Sequence, residues 1–207
     1  MKKIILPLAV VSLAATANAQ FQVNPQLGIN FQRITNPPVG STYAARAGFL
    51  LGTDFRIGNR AYFQPGAFIG RNSTFVEYSD TVLQTGRLVR TNLKLKALVG
   101  YRIIDTYQFD LRFGVGPTYD VLLSRDMKDS DIAWNEGDFN TGSWNLDAAL
   151  GLDMGHFTVE PGISFGLSRV FNDNQNVKDI DSRYLTYGLT IGLNFGDDDK
   201  NDEVRDR

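Results

Sequence analysis

The chain has 207 residues, with 21 Lys and Arg against 23 Asp and Glu, one histidine and no cysteine. A formal charge of −2 without a basic stripe argues against a nucleic-acid partner. The lack of cysteine excludes a disulfide framework, and the length suits one domain.

The first twenty residues read MKKIILPLAVVSLAATANAQ. Lys2 and Lys3 precede an apolar run from Ile4 to Ala17 and a small-residue site, Ala17-Asn18-Ala19. That order predicts a secretory signal peptide over residues 1–19, too short to anchor in a membrane. Removing it leaves 19 basic against 23 acidic side chains, and no lipid-carrying cysteine follows the cleavage site. No later stretch holds 18 consecutive apolar residues, so the mature chain can cross a bilayer only as strands.

From there to Phe195 the chain alternates apolar and polar positions with a period of two, the signature of strands. The pattern predicts strands over Gln26–Arg33, Ala45–Ile57, Ala61–Asn72, Leu88–Ile103, Tyr107–Ser124, Gly142–Met154, Phe157–Arg169 and Tyr184–Phe195. Three connections are tight: Gly58-Asn59-Arg60, Ile104-Asp105-Thr106 and Gly155-His156. Longer polar loops, Ile34–Ala44, Ser73–Arg87, Arg125–Thr141 and Val170–Arg183, alternate with them. Short turns at one end and long loops at the other describe an outer-membrane barrel, with turns toward the periplasm and loops outside. Most strands are long enough for the roughly 9–11 residues that a tilted transmembrane strand needs. The segments beginning at Leu51, Val99 and Leu150 repeat one strand–turn–strand unit, as reused hairpins do.

The alternation alone does not say which face looks inward. In NLKLKALVGYRI, Asn92 to Ile103, a soluble barrel would bury Leu93 and Leu95 and wet Lys94 and Lys96, whereas a membrane barrel would reverse them. Sorting every strand by parity gives one face without charge, from Leu27, Ile29 and Phe31 to Leu189, Ile191, Leu193 and Phe195. The other face carries Arg46, Arg56, Lys94, Lys96, Arg102 and Arg112 against Asp54, Asp110, Asp120, Asp147, Asp153 and Glu160, together with most of the strand glycines. Glycine weakens a solvated strand for no return. Inside a narrow barrel it makes room for long side chains, and an eight-stranded barrel is only just wide enough for side chains to fill.

The expectation is therefore an all-β, eight-stranded antiparallel up-and-down transmembrane β-barrel over residues 20–196. Its lumen holds matched charges as a structural network, its aliphatic coat faces lipid, and residues 197–207 form an acidic disordered tail. Aromatics near strand ends (Tyr101, Tyr107, Phe109, Tyr119, Trp144, Phe157, Tyr187 and Phe195) supply interfacial girdles. Pro65, Pro117 and Pro161 fall inside strands, where proline cannot donate to the ladder, and bulges or local bends are expected at Pro65 and Pro161, which occupy matching places on the lipid face.

The signal ending Ala-Asn-Ala-Gln, the hairpin GTDFRIGNRAYFQPG and the last strand LTYGLTIGLNFG resemble the outer membrane protein beta-barrel domain family. That family includes PorT-like members and is loosely similar to OmpX-type barrels. The resemblance implies a bacterial outer-membrane location. It also implies a partner in biogenesis, the barrel-assembly machinery, which would read Leu189, Ile191, Leu193 and Phe195. This chain continues past that aromatic through GDDDKNDEVRDR.

Candidate chemistry is sparse. His156, the one histidine, lies in a tight turn near Asp153 and Glu160 but has no nearby serine to complete a catalytic triad. One histidine and no cysteine disfavour zinc, and Asp126, Asp129, Asp131, Glu136 and Asp138 do not follow the EF-hand spacing for calcium. No catalytic, cofactor-binding or metal residue is assigned, and no cofactor. Trp134 and Phe139, read as exposed on a long loop, mark the place for a protein partner. The reading is a monomeric, non-enzymatic outer-membrane protein in contact with lipid, with a structural or interaction role through its outer loops. A secretion- or assembly-associated barrel and a small porin-like channel remain alternatives.

Overall fold

The computed structural model describes residues 20–37, 40–79, 83–106, 108–128, 139–171 and 181–196. The predicted signal peptide, Tyr107, most of the predicted loops Arg125–Thr141 (with Trp134) and Val170–Arg183, and the predicted acidic tail lie outside them.

Eight strands follow one another without a helix among the described residues. They are β1 (Phe21–Thr35), β2 (Ser41–Gly58), β3 (Ala61–Ser79), β4 (Leu83–Asp105), β5 (Asp110–Lys128), β6 (Gly142–Met154), β7 (Phe157–Gly166) and β8 (Arg183–Leu193). Each pairs antiparallel with the next in the chain. The sheet closes when β8 pairs with β1, from Gln26 opposite Gly192 to Thr35 opposite Arg183. Beyond Asn194 the last strand resumes as Phe195–Gly196 against Val23 and Gln22. Closure leaves no edge to be satisfied in hydrocarbon.

The two faces divide as the membrane reading requires. Leu27 is 57% exposed, flanked in register by Leu51 and by Ile191, both also exposed. On the same outward face, Phe21, Ile29 and Phe31 complete the exposed apolar run of β1, which ends at Arg33. Leu27 stands in the middle of that run, so Leu27→Arg should cost about 2–4 kcal/mol of folding free energy in lipid vesicles, the usual toll for arginine at the bilayer midplane. A loss below about 0.5 kcal/mol in a urea titration would mean that this face meets water.

Beyond the lipid the pattern inverts. The predicted loop Ser73–Arg87 is instead the upper part of a long β3–β4 hairpin, paired from Ser73 opposite Val89 to Ser79 opposite Leu83. Inside this upper barrel lies an apolar cluster of Ile34, Tyr43, Val76, Leu88, Phe139, Val170, Phe171 and Tyr184. Phe139 is thus buried, its ring tilted at 44° against Phe171 with centroids 5.3 Å apart and joined to it by an isolated bridge, and is not the exposed loop residue that its polar surroundings suggested.

The strand prolines produce no bulge. Around Pro65 the β2–β3 pairing passes from Asp54–Gly66 to Ile57–Phe63, and around Pro117 the β4–β5 pairing passes from Lys96–Thr118 to Val99–Val115. Around Pro161 the β6–β7 pairing passes from Ala149–Gly162 to Leu152–Val159. Each ladder omits two positions and keeps its register, while the proline stays paired to the strand on its other side. A missing N–H is tolerated when only one of two flanking ladders depends on it. The bulges occur elsewhere, at Arg46/Phe49, Thr91/Asn92 and Arg102/Ile104.

Candidate functional site

The lumen holds the charged cluster. Six side chains from five strands form one continuous chain of ion pairs across the half of the barrel nearer the tight turns. Asp54 of β2 accepts from Lys96 of β4 at 2.9 Å, and Lys96 reaches Glu160 of β7 at 2.9 Å. Glu160 accepts from Arg112 of β5 at 2.7 Å, Arg112 donates to Asp153 of β6 at 3.0 Å, and Asp153 accepts from Arg56 of β2 at 2.7 Å. The guanidinium-bearing side chains of Arg56 and Arg112 are each only 1% exposed. Three cations meet three anions, the balance that a buried network requires.

Neutral groups add further hydrogen bonds, although Asp54 Oδ1, Arg56 Nε and Arg112 Nη2 find no protein partner. Gln64 donates to Asp54 at 2.5 Å and to Glu160 at 3.3 Å, Gln26 donates to Asp54 at 3.0 Å, and Thr158 donates to Asp153. One shell above, Lys94 pairs with Asp147 at 2.7 Å, and Thr118 donates to the same carboxylate at 2.9 Å. Asp120 accepts from the Asn145 amide at 3.1 Å. At the tight-turn mouth, Arg102 donates to Gln20 at 3.2 Å, and Asp110 accepts from the Thr106 backbone N–H at 3.2 Å. Glycine creates the space: a Cβ on Gly151 would fall 2.2 Å from the Arg112 Cζ.

Eleven of the twelve charged positions expected in the lumen therefore point inward: Arg56, Lys94, Lys96, Arg102, Arg112, Asp54, Asp110, Asp120, Asp147, Asp153 and Glu160. Arg46 does not. The bulge between Arg46 and Phe49 inserts a residue into β2 and reverses its parity, so Arg46 pairs with Ser73 on the outward face and is exposed, its guanidinium 5.2 Å from the Phe75 ring. Two inward arginines join the set instead. Arg90 lies over the Tyr184 ring at 4.4 Å and Arg125, its register partner on β5, over Phe139 at 5.5 Å. Arg90 shares the parity of Lys94 and could be read from sequence. Arg125 is turned inward only by the irregularity at Leu123.

Between the ion chain and the apolar cap lies a cavity of about 100 Å³, lined by Asn30, Gln32, Asn72, Asn92, Asp120 and Lys94 among others. The side-chain oxygens of the four amides find no protein donor, so the cavity suits hydration. His156 is exposed in the Gly155–His156 turn, where its carbonyl accepts from the Asn194 N–H at 2.7 Å. Among the described residues, no three His, Asp or Glu side chains are grouped as a metal site.

A closed eight-stranded barrel with an exposed aliphatic coat and a charged interior is the architecture of an integral outer-membrane protein. The sequence profile of the outer membrane protein beta-barrel domain matches residues 14–172. The chain belongs to that family. This outer-membrane barrel therefore resides in the bacterial outer membrane. Among solved structures it is similar to OprG of Pseudomonas aeruginosa, at 14% identity, covering 86% of this chain and 96% of OprG with a TM-score of 0.50. It is also similar to Neisserial surface protein A, at 12% identity over 84% of this chain and 97% of that one, TM-score 0.46. Ail of Yersinia pestis, solved with the heparin analogue sucrose octasulfate, shares 13% identity over 85% and 99% of the two chains, TM-score 0.43. The likeness to OprG speaks to the fold alone. No curated protein sequence matches the chain.

Proposed function

We propose that this outer-membrane barrel is a non-conducting, non-enzymatic protein with a structural or interaction role, acting as a monomer that presents its outer loops. The observation that supports this reading is the ion chain from Asp54 to Arg56, which runs side chain to side chain through the lumen at 2.7–3.0 Å. Moving a solute past it would require separating buried ion pairs, each member of which is costly to leave alone. The loop ends would then be the place for a protein partner, while the barrel-assembly machinery would engage the β8 edge through Leu189, Ile191, Leu193 and Phe195, all exposed to lipid. A secretion- or assembly-associated role rests on the PorT-like resemblance only, and co-purification of a periplasmic partner is what would favour it.

Planar bilayers test the reading. Wild-type protein should show no steady conductance, and Lys96→Ala should lower stability without opening a solute-permeable path. Stable, solute-permeable channels in the wild type would overturn it in favour of a small pore.

A further inference from the structure

The bulge in β2 does more than remove a charge from the lumen. It places Arg46 on the outer surface beside two other exposed arginines, Arg33 on β1 and Arg71 on β3. All three stand where the apolar coat stops. Arg33 is the next outward position after Phe31, Arg71 is the register partner of Phe49, and Arg46 pairs with Ser73, the next outward position above Arg71. With neighbouring strands about 4.8 Å apart, the three guanidinium groups cover roughly 10 Å of rim. Among the described residues none of them makes an ion pair with a carboxylate. Arg46 is steadied over Phe75, and Arg87 of β4 donates to the Ser73 hydroxyl at 2.8 Å just beyond it.

We propose that Arg33, Arg46 and Arg71 form a binding site for the phosphorylated headgroup of an outer-leaflet lipid. The site rests on the orientation with tight turns toward the periplasm. Chemistry and position agree on the ligand. The acyl chains lie against Phe31, Phe49 and Ile69, all about half exposed, and the headgroup begins where these end. Guanidinium forks match phosphate oxygens bidentately, which an ammonium does not. Regular pairing would have turned Arg46 inward, so the β2 irregularity is what brings the third guanidinium to the rim. A free phosphate would meet the same three groups but would gain nothing from the apolar wall below them.

The test uses the full folded chain in a zwitterionic detergent, with bound lipid read by native mass spectrometry. The probes are a diphosphorylated glycolipid, its dephosphorylated form and inorganic phosphate. The phosphorylated lipid should bind, the dephosphorylated form and inorganic phosphate far more weakly. The triple variant R33Q/R46Q/R71Q should bind about a hundredfold more weakly, at about fivefold per surface arginine. All three side chains are exposed, so the variant should keep its heat-modifiable gel mobility. Arg60→Gln, at the tight-turn end where Arg60 lies over Tyr101, should leave binding unchanged. Equal binding by the triple variant, equal binding of the dephosphorylated lipid, tight binding of inorganic phosphate, loss of binding through Arg60→Gln, or no binding by the wild type would each overturn the assignment.

Discussion

Glu160→Gln should destabilise the barrel by about 3–5 kcal/mol, read as a shifted urea midpoint in detergent micelles or vesicles. The substitution keeps the shape but removes the only carboxylate bonded to both Lys96 and Arg112 in the ion chain. Three buried cations would then face two anions. Coulomb attraction no longer offsets the desolvation of the third cation, and removing one partner costs more than the pair itself contributes. The sign of the effect can be checked by restoring balance. In the double variant Glu160→Gln with Lys96→Met, Asp54 keeps its donors Gln26 and Gln64, while Asp153 keeps Arg56 and Arg112. The double variant should therefore lose less than the sum of the single losses, with a coupling of a few kcal/mol. If Glu160→Gln costs less than about 1 kcal/mol, as an exposed pair does, the lumen is water-filled and the non-conducting reading fails with it.

How much of this could be read from the sequence depends on where lipid stops. Between Phe21 and Phe31 each outward residue meets hydrocarbon, so parity sorts Leu27 from Gln26 cleanly, and the same holds for Leu95 against Lys96. Above that band the outward face meets water and the inward face turns apolar. Thr74, Val76 and Leu88 point in while Phe75, Glu77 and Arg87 point out, and the charge pattern that marked the strands disappears. This is why Ser73–Arg87 reads as a loop though it is a hairpin, and why Phe139 reads as exposed. Arg46 and Arg125 were beyond reach for a different reason. A single inserted residue reverses every later side chain, and nothing in the sequence around Arg46 announces the insertion.

Gly116→Val should cost more than about 4 kcal/mol and abolish heat-modifiable mobility. A Cβ there would lie 2.2 Å from the Ala97 carbonyl oxygen and 2.9 Å from the Leu98 Cα. Both are backbone atoms of β4, so the clash is relieved only by prying β5 from β4, next to the gap that Pro117 already leaves in that ladder. A lumen side chain would give way more cheaply. Gly114, two residues earlier on the same strand and face, supplies the control. Its Cβ would meet nothing nearer than the Leu98 Cδ1 at 3.6 Å, an ordinary contact, so Gly114→Ala should change stability by less than about 1 kcal/mol, with alanine's smaller loss of backbone entropy in its favour. Equal tolerance at both sites would show that β4 and β5 do not approach as closely as the structure places them. Equal intolerance would instead point to a general demand for glycine on this face, unrelated to the β4 backbone.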